Sequence, residues 1–175
     1  MKGTSILSDS LLYDILDEDE KRIYHMRLDE WLKWDKRFLE MARFVSTWSK
    51  DPSTKVGAVA VRNRTVIAQG YNGFPRGIKD DDRLKDREKK YKLIVHAEMN
   101  TIFNAAENGV SLKGSTMYVF GLPVCNDCAK GLIQAGISRI VTPEQDIPKN
   151  WQKSIEHSAD MFDEAGIEWH WIPKL

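Results

Sequence analysis

The sequence predicts an α/β domain whose central mixed sheet has about five strands and is covered by helices on both faces. After a first amphipathic segment, strand-like and helix-like segments follow one another in the order ββαβαβαβ, and short gaps separate most of them. Such alternation is typical of sheets that are partly parallel. The composition, 42% hydrophobic and 10% aromatic in 175 residues, is sufficient for one packed domain with an appended segment.

The domain is expected to occupy residues 28–175, and residues 1–27 are expected to form an appendage that is either helical or frayed. The appendage contains a cluster of charged residues and only weak helical spacing. The residues after it have apolar side chains three and four positions apart, which predicts an amphipathic helix over 27–50. Pro52 ends this helix, because the residue before a proline avoids helical geometry.

Apolar runs and turn-forming residues predict the remaining elements. Two apolar runs around a short polar turn indicate a hairpin, and the polar stretch after it indicates a long loop with one helical turn. The predicted strands are 56–61, 66–71, 115–122, 139–142 and 168–172. The predicted helices after the first are 94–109, 125–137 and 158–167, and the predicted loop is 72–93.

Charge and hydropathy exclude several kinds of partner. Lys and Arg number 26, as do Asp and Glu, so the formal net charge is zero and no global field attracts a long nucleic acid. No apolar stretch reaches the length of a membrane span, and the N-terminal residues lack the pattern of a signal peptide. Two cysteines are too few for a disulfide framework. We therefore expect a cytoplasmic protein whose partners include neither a membrane nor a long nucleic acid.

The two cysteines of the chain, Cys125 and Cys128, lie at the start of a predicted helix. His96 and Glu98 lie at the start of the preceding helix, with one predicted strand between the two helices. Because helix starts in an α/β unit can meet at one edge of a sheet, His96 and the cysteines are expected to surround one ion. One nitrogen and two sulfur ligands leave the fourth tetrahedral position of zinc open, as in catalytic sites. Glu98 would then serve as a proton shuttle.

Two other interpretations of the cysteine pair remain open at this stage. A Cys-x-x-Cys motif at a helix start also suits a thioredoxin-like redox protein. A structural zinc site would need a fourth protein ligand, for which His25, His157 and His170 are the other histidines. The histidine two positions before a glutamate, together with the proline before the cysteines, favours the hydrolytic site.

Five stretches resemble, in order, the deoxycytidylate (dCMP) deaminase branch of the cytidine deaminase-like zinc deaminase superfamily. They are DPSTKVGAVAV, GYNGFPRG, HAEMNTIFNAA, MYVFGLPVCNDCAKGLIQAGI and AGIEW. They lie between residues 51 and 169, within a resemblance that covers roughly residues 33–170. His-x-Glu followed by Pro and Cys-x-x-Cys is the signature of the zinc deaminases. The resemblance implies the three-layer α/β/α cytidine deaminase-like fold.

The resemblance also implies hydrolytic deamination of dCMP to dUMP and ammonia by a zinc-activated water. The implied site residues are the zinc ligands His96, Cys125 and Cys128, the catalytic proton shuttle Glu98, and the substrate contacts Asn72, Thr54, Ala97 and Arg76. A phosphate partner is expected among Arg76, Arg83 and Arg87, because guanidinium groups bind phosphate bidentately. One alternative is a deaminase with another substrate: another cytosine nucleoside, nucleotide or modified base, or adenosine in RNA. The other alternative is a non-catalytic binding protein.

The sequence departs from the family pattern at one point, and the family suggests further partners. The family usually has proline directly before the first ligand cysteine, whereas Val124 separates Pro123 from Cys125 here. The resemblance implies possible regulation by dCTP and dTTP near the GYNG loop and a homo-oligomer, either a dimer or a hexamer. Because the chain has no third cysteine, one zinc ion per chain is expected, without the second zinc of some dCMP deaminases.

Overall fold

Five strands form one mixed sheet in the computed structural model, which describes residues 17–173. The strands are β1 (Gly57–Arg62), β2 (Thr65–Tyr71), β3 (Thr116–Phe120), β4 (Arg139–Pro143) and β5 (Glu168–Ile172). The helices are α1 (Glu18–Ser46), α2 (Arg87–Leu93), α3 (Ala97–Glu107), α4 (Asn126–Gln134) and α5 (Lys149–Ala165), and a 3-10 turn spans Asp82–Leu84. The strand order is β2-β1-β3-β4-β5. β1 pairs antiparallel with β2 and β3, and the β3–β4 and β4–β5 pairs are parallel, which confirms the predicted mixed sheet.

Helices cover both faces of this sheet, as predicted. Successive side chains of β1 point to opposite faces: Ala58 and Ala60 pack in the core that α3, α4 and α5 cover, and Val59 and Val61 pack against α1. The protein therefore has the expected three-layer α/β/α architecture, and among the helices of residues 17–173 it is α1 that packs on the second face.

The first helix begins at Glu18, so its predicted start at residue 27 was wrong. Asp17 caps the helix: its Oδ1 accepts a hydrogen bond from the Glu20 N–H at 2.8 Å, and the Glu20 side chain accepts from the Asp17 N–H at 3.0 Å. This reciprocal pair satisfies two backbone donors at the helix start. Residues 1–16 lie outside the described part of the chain, so the division between appendage and domain stays a prediction.

Two other stretches hold more helix than the sequence predicted. α5 begins at Lys149, well before the predicted start at 158, and it has no side-chain cap that would mark its beginning. The predicted loop 72–93 contains both the 3-10 turn and α2. Within residues 17–173, no helix combines the length and the apolar character that a membrane crossing requires.

Candidate active site

Two helix starts bring three metal-binding side chains together. His96 is the N-cap of α3, Cys125 is the N-cap of α4, and Cys128 lies in the first turn of α4. The Nδ1 atom of His96 lies 3.4 Å from the sulfur of each cysteine. The helices meet there because the single strand β3 connects them and both pack on the same face of the sheet.

The three groups fit a zinc ion. Zinc bonds to nitrogen at about 2.1 Å and to sulfur at about 2.3 Å, so neighbouring ligand atoms in a tetrahedral site lie about 3.6 Å apart. The nitrogen–sulfur distances of 3.4 Å agree with this geometry, and all three ligand atoms lie within 4.8 Å of one another. Among residues 17–173, no fourth Cys, His or carboxylate ligand joins the group, which leaves one coordination position for water or substrate.

Hydrogen bonds among the three candidate ligands shift the pKa values of all three. A hydrogen bond with Cys128 lowers the pKa of Cys125 to about 4, and the same bond raises the pKa of Cys128. The hydrogen bond with Cys125 raises the pKa of His96 to about 9. Since metal ligands must be deprotonated, zinc binding at this site releases protons to solvent.

Glu98 lies beside the metal-binding group in the first turn of α3 and is only 3% exposed. Burial raises its pKa to about 7, although the neighbouring His96 opposes the shift. A carboxyl group with a pKa near neutrality can both accept and donate a proton at physiological pH. The Glu98 carboxyl therefore lies beside the three candidate ligands with a pKa near neutrality.

A cleft of about 560 Å³, open to solvent, leads to these residues. Its walls come from the segment after α1, from α2, from the starts of α3 and α4, and from α5. The lining residues are Asp51, Thr54, Val56, Asn72, Lys90, Tyr91, Ile94, His96, Ala97, Glu98, Leu122, Pro123, Cys125 and Trp151.

The family model for the cytidine and deoxycytidylate deaminase zinc-binding region matches residues 32–144. The chain belongs to this deaminase family. It is 43% identical over 143 residues to an uncharacterized deaminase in the luxG 3′ region of Aliivibrio fischeri, covering 81% of this chain and 95% of that one. It is 36% identical to human deoxycytidylate deaminase, over 83% and 84% of the two chains.

Solved structures share the fold of this deaminase. The dCMP deaminase of cyanophage S-TIM5, in complex with dCMP and dUMP, aligns with a TM-score of 0.65 at 23% identity, over 80% of this chain and 97% of that one. The family match and the His/Cys/Cys group together confirm the predicted zinc cofactor and the predicted enzyme class, a zinc-dependent hydrolytic deaminase.

Three of the four predicted substrate contacts of this deaminase line the cleft: Thr54, Asn72 and Ala97. Asn72 also braces the cleft wall. Its Oδ1 accepts a hydrogen bond from the Val56 N–H at 2.8 Å, and its Nδ2 donates to the Thr54 carbonyl at 2.9 Å. The Asn72 side chain therefore fixes the backbone that presents Thr54.

The three arginines predicted as phosphate partners lie outside the cleft lining. Arg76 forms an ion pair with Glu107 on α3, and Arg83 forms one with Asp81 at 2.8 Å. Arg87 stacks on the ring of Tyr91, with its guanidinium carbon 5.5 Å from the ring centre. Arg87 is therefore the one of the three that contacts a residue of the cleft.

Several cleft residues of this deaminase were not predicted from the sequence. Trp151 faces His96 with a ring separation of 6.2 Å, but it lies in the part of α5 before residue 158, for which no element was predicted. Asp51 was interpreted only as the residue before a helix-ending proline, and Lys90 as part of a solvated charged loop. The pairing of Asp51 and Lys90 has no signal in a single sequence, because 39 positions separate them.

The extra residue before the first ligand cysteine points inward. Val124 is fully buried in the core beneath α3, α4 and α5, whereas Leu122 and Pro123 line the cleft. The inserted side chain thus adds to the core, and Cys125 keeps its place at the helix start.

Proposed function

We propose that this deaminase converts dCMP and water to dUMP and ammonia, with Glu98 as the catalytic proton shuttle and His96, Cys125 and Cys128 as the zinc ligands. The main support is the buried Glu98 carboxyl beside the metal-binding group at the floor of an open cleft. Relatives named deoxycytidylate deaminase are 36% identical in human and 32% identical in phage T4. These relatives favour a nucleotide monophosphate as substrate.

The three candidate zinc ligands and Glu98 have different roles in the proposed reaction. When bound by His96, Cys125 and Cys128, zinc supplies a water molecule of lowered pKa as the nucleophile. Glu98 accepts the two protons of the water that attacks C4 of the cytosine ring, one after the other, and it delivers one to N3 and the other to the leaving amino group. The C4–N4 bond breaks, ammonia leaves, and the oxygen from water stays on C4 as the new carbonyl. The burial of Glu98 keeps competing water away from the proton path.

The substrate phosphate is proposed to lie at the mouth of the cleft, near Arg87. This arginine stacks on the cleft residue Tyr91, whereas carboxylates already neutralise Arg76 and Arg83. Replacing Arg87 by Gln should raise the KM for dCMP more than replacing Arg83 by Gln. Equal effects of the two changes on KM would assign the phosphate to another residue.

We also propose, from the family resemblance, a homo-oligomer whose activity responds to dCTP and dTTP. An exposed row of aromatic rings, Phe44, Trp48 and Tyr71, lies next to the 72–76 loop and is suited to a contact between chains. Sedimentation gives the number of chains, and a titration of activity with both triphosphates tests the regulation. A flat response would remove the regulatory part of the proposal. The cytoplasmic location stays a prediction.

Ammonia release from purified protein tests the reaction, with dCMP, deoxycytidine, CMP and dCTP offered in turn. Faster turnover of dCMP than of the other three compounds supports the proposed substrate. Turnover of deoxycytidine at the same rate as dCMP would refute the proposed phosphate contact. Glu98→Gln keeps the size of the side chain and removes its acid–base function. This variant should bind one zinc ion and release no ammonia; full activity would assign proton transfer to another group.

A further inference from the structure

A buried ion pair that is not part of the metal-binding group lies in the lining of the cleft. Lys90 on α2 is 8% exposed, Asp51 is 2% exposed, and the Lys90 Nζ lies 3.0 Å from the Asp51 Oδ1. Lysine and aspartate are rarely buried to this extent unless they are paired. Neither residue has a place in the proton transfer proposed above, so the position of the pair needs its own explanation.

Asp51 shapes the part of the cleft wall that contains Thr54. Its Oδ1 accepts hydrogen bonds from the Ser53 N–H at 2.8 Å, from the Thr54 N–H at 3.2 Å and from the Ser53 hydroxyl at 2.8 Å. Lys90 donates to the same Oδ1 and also to the Ser53 hydroxyl oxygen. The lysine therefore links α2 to the turn formed by residues 51–54.

The link involves a helix that leads directly into the metal-binding group. α2 ends at Leu93, and the chain continues directly to His96 through Val95, which pairs with Gly73 in an isolated bridge. Asp51 and Lys90 both line the cleft. The pair thus joins the segment that leads into His96 to the 51–54 turn.

The charge of the pair matters for an anionic substrate. Burial alone would raise the pKa of Asp51, but hydrogen bonds from Ser53, Lys90 and Thr54 together lower it. The carboxylate is therefore charged at neutral pH and would repel a nucleotide phosphate if it were left alone. The ammonium group of Lys90 cancels this charge inside the cleft wall.

We propose that Lys90 is a positioning and specificity-determining residue, which neutralises Asp51 and holds the 51–54 turn so that the cleft accepts a phosphate-bearing substrate. The inference rests on the proposed deamination of dCMP. It assigns no phosphate contact to Lys90: the lysine acts through Asp51.

A double-mutant cycle tests the proposal, with KM and kcat measured for dCMP and for uncharged deoxycytidine. Lys90→Met should raise the KM for dCMP about tenfold, because one uncompensated charge then faces the phosphate. The KM for deoxycytidine should rise much less. Adding Asp51→Asn removes the charge and keeps an oxygen for the turn, so the double variant should recover a near-normal KM for dCMP.

Lys92→Met is the matched control. Lys92 lies on the same helix, is exposed, and pairs with Glu88 at 2.7 Å, so the change alters the net charge of the chain equally but outside the cleft. Its KM for dCMP should equal that of the wild type. A tenfold rise in this control would show that long-range charge, and not the pair, controls binding.

Two results would overturn the proposal. An equally raised KM for dCMP in Lys90→Met and in the double variant would show that Lys90 contacts the phosphate directly. Equal changes in the KM for dCMP and in the KM for deoxycytidine in Lys90→Met would show that repulsion between Asp51 and the substrate phosphate is not the cause. If Lys90→Met is not recovered folded, the double variant alone decides between the two roles of Lys90. Its KM for dCMP is near normal if Lys90 acts by neutralising Asp51, and it is raised if Lys90 contacts the phosphate directly. Failure of the wild type to deaminate dCMP would instead refute the proposed function, before any variant is compared.

Discussion

Gly70 offers a sharp test of how the fold places Glu98. It lies in β2 directly beneath α3, and a Cβ atom there would lie 2.5 Å from the Thr101 nitrogen and 2.7 Å from the Ala97 carbonyl oxygen. Both atoms belong to helix backbone, so no flexible side chain can move aside. Since non-bonded heavy atoms settle near 3.5 Å, a Gly70→Ala change must displace α3 by roughly 1 Å.

This displacement should affect both activity and stability. Glu98 lies in the first turn of α3, and a misplacement of about 1 Å at a reacting group can cost about 100-fold in rate. Overpacking of a well-packed core costs typically about 1–3 kcal/mol. We therefore expect Gly70→Ala to lower kcat/KM for dCMP about 100-fold and to lower the free energy of unfolding by about 2 kcal/mol.

Gly73→Ala is the control for the same chemical change. A Cβ at Gly73 would lie 3.8 Å from its nearest neighbour, a ring carbon of Tyr71, which is an ordinary contact. Both changes remove the same backbone freedom from the unfolded chain, so this contribution cancels in the comparison. Ammonia release and urea denaturation give the two readouts. If Gly70→Ala matched Gly73→Ala in both, close contact of β2 with α3 would not be what positions Glu98.

Three other predictions have clear expected outcomes. Asp35→Asn should lower the free energy of unfolding by about 3 kcal/mol in urea denaturation, because it leaves the half-buried Arg139 without its bidentate partner. As a control, Glu30→Gln, at an exposed ion pair, should lower it by less than about 1 kcal/mol. Equal losses of unfolding free energy in the two variants would contradict this reasoning. Cys128→Ala should bind less than one zinc ion per chain by metal analysis and lose activity; full zinc content would exclude Cys128 as a ligand. The pKa of Asp51 is lowered in the folded protein, so its stabilising contribution is present above the ordinary value of 3.8 and is lost as the pH falls through the lowered pKa. Thermal unfolding should therefore show a steeper acid loss of stability in the wild type than in Asp51→Asn, and parallel curves would refute this.

The sequence was sufficient for the sheet and for the metal-binding group. β5 occupies the predicted residues 168–172, because an alternating apolar run bounded by turn residues has few other solutions. His96 and Cys125 were predicted at helix starts, and both are N-caps in the structure. Here the local pattern and the tertiary arrangement agree, because a single strand fixes the relation between the two helices.

The cleft walls were much harder to predict, for physical reasons. α5 begins without a side-chain cap, so the local sequence does not indicate that Trp151 is in a helix. It also does not indicate that Trp151 faces His96. Lys90 lies among several exposed lysines, and a charged run is usually solvated. Its burial depends on Asp51, a partner distant in the chain, and such pairing becomes visible only once the backbone is folded.

The connection of the two helix starts by β3 has a mechanical consequence. A zinc ion bound by His96 and Cys128 would tie together two points about 30 residues apart in the chain, much as a disulfide does. In the chain-entropy description, closing a loop of this length in the unfolded state is worth about 3–4 kcal/mol. The ion that activates water would then also act as a cross-link of the α3–β3–α4 unit, so that loss of the metal loosens the fold as well as stopping the chemistry.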